Sequence, residues 1–226
     1  MEKKELELKY WFSHAWYIFK NNLNLMISGA IIFILFSLAS GLLENLSGGL
    51  FFRGFTALVI APPLTAGWWF LCLRLARGQS ATLSDILAGL FSFSNVWVAF
   101  VSVGLLVSAG YLLFLIPGII WYLKYHLSLF VIMDKQIKPF KAIKYSGQIT
   151  YGYKIKLLTI FFISLVGYAL RCPFAFYLSR LGSNKAMFYL LVGTIPYLLS
   201  SLVLVPWSTA ALATAYDALS KRYNES

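Results

Sequence analysis

Four ionisable side chains stand out against long apolar stretches: Lys124, His126, Arg171 and Glu44. Lys124 and His126 interrupt the run LIPGIIWYLKYHLSLFVIM, Arg171 opens RCPF at the end of another run, and Glu44 closes a third. An ionised lysine near the middle of a bilayer costs about 2.5 kcal/mol or more, which makes it by default a candidate binding residue. Its four-carbon stem can instead snorkel to the interface, or the ammonium can pair inside a bundle. Arg171 reads equally as an interfacial arginine. Glu44, with Arg53, Arg171 or Lys124 as partner, would complete a basic pocket on its side of the membrane, suited to an anionic headgroup.

Chemistry beyond binding finds little support. His14 and His126 have no second histidine, thiolate or carboxylate at ligand spacing such as i, i+4, so neither a metal nor another cofactor is expected. No G-x-S-x-G, H-E-x-x-H or P-loop is present, and the expectation is a protein that is not an enzyme. Asp134 and Asp217 fall at the ends of apolar runs. They are read as interface anchors or partners for nearby Lys and Arg rather than as a proton-sharing pair.

The elements that must position these residues follow from composition. Of 226 residues, 60% are hydrophobic and only 12% charged, against about 25% charged in a soluble domain. Mean hydropathy is +0.75. So much apolar surface exceeds what a globule of this size can bury, so the expected solvent is a bilayer. Long apolar runs, the first of them free of charge, mark six spans, at about Leu25–Leu43, Leu50–Leu75, Val96–Leu115, Pro117–Asp134, Ile155–Leu178 and Phe188–Leu219. The third and fourth are separated only by a tight reversal at Pro117-Gly118, with Pro117 opening the fourth helix. The polar lead before Leu25 argues against a cleaved signal peptide.

The 19 Lys and Arg against 8 Asp and Glu give a net charge of +11. With the N-terminus cytoplasmic, 14 basic residues fall on that side and four (Arg53, Arg171, Arg180, Lys185) on the other, leaving Lys124 within a span. Both termini are therefore expected in the cytoplasm. The basic surplus then forms a band facing anionic lipid, and nucleic acid is not an expected partner.

Between the spans lie segments that are neither loops nor spans. Tyr10–Lys20 holds six aromatics, as expected of a helix at headgroup level. Thr82–Phe93 opens with Thr82 and Ser84 as N-cap candidates and puts Leu83, Ile86, Leu87 and Leu90 on one face. Lys138–Tyr153 sets Phe140, Ile143 and Ile149 beside three lysines. Each precedes a pair of spans whose second member carries a proline: Pro63, Pro117 and Pro206. The reading is all-α and polytopic, a single membrane domain with three related units at residues 6–77, 80–134 and 138–220. Pro63, Pro117, Gly118 and Pro206 are its structural markers. Small-xxx-small spacings, Ser37/Gly41 and Gly104/Ser108, would let helices approach within one chain or between copies in a homo-oligomer.

The stretches ARGQSATLSDILAGL, LIPGIIWYLKYHLSLFVIMDK, KAIKYSGQITYGYK and ATAYDALS, in this order, resemble the YciC-like group of bacterial membrane proteins, related to the membrane domain of some glycerophosphodiester phosphodiesterases. The similarity covers Leu8 to Leu219. It implies six helices and an inner-membrane address, without an activity. Lys124 and His126 depart from the group's pattern.

Two functions remain in play. One is a lipid-interacting protein or membrane scaffold, its aromatic helices and lysine band holding anionic lipids. The other is a transporter or channel for a lipid-like or anionic solute with Lys124 and Arg171 at the site. Polar side chains within the spans are few, which favours the first.

Overall fold

The computed structural model describes residues 6–47, 50–170 and 194–225. Among them there is no strand, and the chain is an all-α polytopic membrane protein. Five helical stretches among the described residues are long and apolar enough to cross a bilayer. A sixth arises if Pro139–Ile149 and Lys154–Ala169, bent by 109°, count as one. That bend separates the expected fifth span from its amphipathic leader. The outer part of that span, with Arg171, and residues 188–193 of the sixth lie outside the described residues.

Helix α1 (Leu8–Asn21) leads into α2 (Leu23–Ser47). The chain returns through α3 (Leu50–Phe55), a π-turn at Thr56–Ile60, and α4 (Ala61–Ala76). A 3-10 turn (Leu83–Leu87) and α5 (Ala88–Phe91) precede α6 (Phe93–Leu113), which pairs with α7 (Leu115–Tyr125) and α8 (Ser128–Lys135). Then come α9 (Pro139–Ile149), α10 (Lys154–Ala169), a second π-turn at Ser200–Leu204 and α11 (Val205–Glu225). The core lies where α4, α8 and α11 meet. Alanines at 210, 211, 213 and 215 are fully buried and allow that close approach.

The prolines shape the helices in a definable way. Proline lacks an N–H, and its ring crowds the carbonyl four residues earlier. For Pro62 that carbonyl belongs to Leu58, inside the first π-turn, and the indole Nε1 of Trp97 donates to it at 2.9 Å. The second π-turn ends two residues before Pro206 in the same relation, and there Ser200 Oγ donates to the Gly167 carbonyl of α10. Pro62, rather than Pro63, is thus the positional counterpart of Pro206.

The reversal expected at Pro117-Gly118 comes three residues earlier. Helix α6 stops at Leu113, the carbonyl Pro117 would otherwise crowd, and Phe114 alone is extended (φ −166°, ψ 158°). Pro117 therefore sits third in α7 rather than first, still among positions whose N–H has no helical acceptor. Gly118 packs where a Cβ would lie 2.4 Å from the Tyr111 ring. The fourth span is also broken, its helix interrupted at His126 and Leu127.

Each amphipathic segment forms, with a modified face. Helix α1 buries Trp11, Ala15, Ile18 and Phe19 against protein, chiefly α11, and leaves Tyr10, Trp16 and Tyr17 exposed. Thr82 caps the 3-10 turn in a capping box with Asp85. Of the four apolar residues expected on one face there, only Ile86 is buried. Helix α9 buries Ala142, Ile143, Ser146 and Ile149, while Phe140 is exposed. Gly152, at φ +83°, allows the sharp exit into α10.

Candidate functional site

Lys124 sits in the last turn of α7, where the helix break leaves its carbonyl without the next amide. Ser146 Oγ of α9 donates to that carbonyl at 2.9 Å, docking α9 across the end of α7. Gly147 makes the approach feasible, since a Cβ there would lie 2.9 Å from Lys124 Cε. The Lys124 side chain thereby enters an open recess of about 700 Å³ between α7, α9 and α11. Lys144 and Gln148 line it from α9, Arg222 from α11, with Phe140 and Ile143 as apolar wall.

Two of the three cations, Lys124 and Arg222, are steadied by aromatic faces rather than by acids. Lys124 Nζ lies 5.1 Å from the centre of the Tyr125 ring, and the Arg222 guanidinium 4.7 Å from that of Tyr153. Among the described residues no carboxylate lies within ion-pair distance of Lys124, Lys144 or Arg222. The recess therefore keeps three formal positive charges beside apolar surface. Such a combination is chemically suited to an anion with an apolar body.

His126 parts company with Lys124, because positions i and i+2 of a helix face apart. Its ring meets Trp69 edge-on at 4.7 Å and Tyr122 at 4.5 Å, lining a separate cavity of about 70 Å³ between α4, α7, α10 and α11. Ser164, Ser208 and Thr209 add hydroxyls to its wall. The cavity contains neither Lys nor Arg and is small enough that its capacity is a few water molecules.

The most connected ionic group was legible only as scattered charges. Arg77, just past α4, grips Asp134 of α8 through both terminal nitrogens, at 2.5 and 3.0 Å, and Asp217 of α11 through Nε at 2.7 Å. Lys221 completes Asp217 at 2.7 Å, and Tyr216 donates to Asp134 at 2.8 Å. The hydrogen bonds that Arg77 donates to Asp134 and, secondarily, to Asp217 hold its pKa above the ordinary arginine value despite burial. Asp134 and Asp217 thus pair with basic residues as expected, and through one shared arginine. Two positive and two negative charges cancel, so this group locks helices and leaves no net charge for a ligand. Its sequence signal was positional, since all three residues lie toward the ends of helices that run the same way.

The four residues first singled out therefore separate. Lys124 joins Lys144 and Arg222; His126 lines a cavity of its own; Arg171 lies outside the described residues. Glu44 lies in α2, one turn before its end, and nothing describes its side chain. No cluster of three potential metal ligands exists among the described residues.

His14 fastens α1. Its ring stacks between Tyr10 and Tyr17, and Nδ1 lies 3.4 Å from Thr214 Oγ1 of α11. Burial lowers its pKa from the ordinary 6.5, against the pull of Asp217 and with the push of Lys221. The docked state therefore binds fewer protons than the undocked one. Docking is fully stabilised above the ordinary value and weakens as pH falls through and below it. Corrected for the intrinsic exchange rate, which itself falls with pH, the protection of α1 amides should decline between about pH 8 and about pH 5.5, and the decline should flatten in His14→Gln.

Compared with protein-family models, curated proteins and solved structures, the chain finds no match in any of the three.

Proposed function

We propose that this is a multi-pass inner-membrane protein, termini cytoplasmic, that binds anionic lipid headgroups in the recess formed by Lys124, Lys144 and Arg222. The observation that carries the reading is three cations on three helices, without a carboxylate partner among the described residues, beside apolar side chains open to the surroundings. The bias of Lys and Arg toward the connections joined to the termini supports the orientation, and the ordered resemblance to the YciC-like group supports the membrane assigned. Exposed Phe91, Phe140, Tyr151 and Ile155 supply apolar contact for the inner leaflet.

Each basic residue near an anionic surface contributes about 1 kcal/mol. Neutralising all three, in Lys124→Gln, Lys144→Gln, Arg222→Gln, should then cost about 3 kcal/mol of binding to phosphatidylglycerol in nanodiscs, measured by native mass spectrometry. Unchanged retention of that lipid by the folded triple variant overturns the proposal.

A further inference from the structure

The charge count in the recess narrows the lipid. This step rests on the headgroup reading above and goes further, to the kind of headgroup. We infer that the recess selects a headgroup bearing two negative charges over one bearing a single charge.

The argument begins with what a monoanion would leave behind. One phosphodiester entering beside Lys124, Lys144 and Arg222 cancels one charge and leaves two cations facing one another where water is partly displaced. Like charges in such a setting repel more strongly than in bulk water. A headgroup with two negative charges leaves one, and the structure already holds ring faces for it. Tyr125 lies under Lys124 and Tyr153 under Arg222, the geometry in which an aromatic quadrupole stabilises a cation without an acid.

Size points the same way. The cations come from α7, α9 and α11 and surround a volume of about 700 Å³, far more than one phosphate occupies. The Gln148 amide and Tyr151 on the same wall offer hydrogen bonds to phosphate oxygens or to a bridging glycerol. The neutral cluster of Arg77, Asp134, Asp217 and Lys221 is no competitor for such a ligand, because its charges are already satisfied.

The test uses the full chain in nanodiscs of phosphatidylcholine doped, at equal total phosphate of the guest lipid, with diphosphatidylglycerol, phosphatidic acid or phosphatidylglycerol. Bound lipid is read by native mass spectrometry. Expected is a preference of about five-fold or more per phosphate for a dianionic guest over phosphatidylglycerol, the factor that one additional basic contact supplies. The first two guests distinguish two linked phosphodiesters from one phosphomonoester. Each of Lys124→Gln, Lys144→Gln and Arg222→Gln should reduce that preference, and Lys144→Arg should retain it. Equal binding of phosphatidylglycerol per phosphate overturns the dianion inference while leaving the anionic reading intact. Equal binding of the phosphatidylcholine host overturns both. Retained thermal midpoints in the three Gln variants separate lost recognition from lost folding.

Discussion

Arg77→Leu is expected to lower the thermal midpoint of the purified protein by about 10 °C, the equivalent of about 3 kcal/mol for a chain of this length. The side chains of Arg77, Asp134 and Asp217 are 27%, 14% and 11% exposed, so both carboxylates are largely withdrawn from water. Removing the arginine leaves Asp134 with one hydrogen bond from Tyr216 and Asp217 with Lys221. An uncompensated buried charge costs more than the intact pair was worth. Arg77→Lys should fall between, because an ammonium keeps the charge and loses the fork that serves two acids at once. The decisive variant is Arg77→Leu combined with Asp134→Asn and Asp217→Asn, which removes every stranded charge and should recover part of the loss. Failure of that combination to recover anything would show that Arg77 acts through packing instead.

How much of this was legible beforehand differs by element. The long apolar helices and the amphipathic segments follow from hydrophobic runs and periodicity, which report local solvent preference. Breaks inside those runs follow from where displaced backbone groups find partners. That Leu58 would lose an amide to Pro62 can be argued from sequence, whereas the indole of Trp97 as its replacement cannot, being 39 residues away. The turn at Phe114 was misplaced because proline's effect acts four residues upstream, on the carbonyl of Leu113.

The site was legible by residue type and hidden by geometry. Lys124 was visible as a charge in an apolar run. Helix α9 bends across the end of α7 and draws Lys124 toward Lys144 and Arg222, charges that looked like ordinary members of the basic band. Arg77 looked like one of that band too. Its pairing with two acids, 57 and 140 residues away, depends on three helices ending together.

Gly67→Ala is expected to be the most damaging substitution of a single methyl group. The helix α4 and the segment carrying the 3-10 turn and α5 touch backbone to backbone. A Cβ on Gly67 would lie 1.8 Å from the Ile86 carbonyl oxygen, and one on Gly89 would lie 1.9 Å from that of Pro63. The contacts are reciprocal, and the obstructing atoms are backbone, so no rotamer change relieves them. Relief requires α4 and its neighbour to separate, which would strain the Arg74–Asp85 ion pair at 2.6 Å and the capping box at Thr82. Overpacking a close-packed site costs 1–3 kcal/mol where side chains can adjust; here about 3 kcal/mol or more is expected, or about 10 °C in midpoint. Gly104→Ala provides the contrast, because nothing lies within 4 Å of the added Cβ. Helix propensity there favours alanine by about 0.5–1 kcal/mol, so the midpoint should hold or rise. If Gly67→Ala melts with the parent protein, the two segments do not pack as closely as this geometry requires.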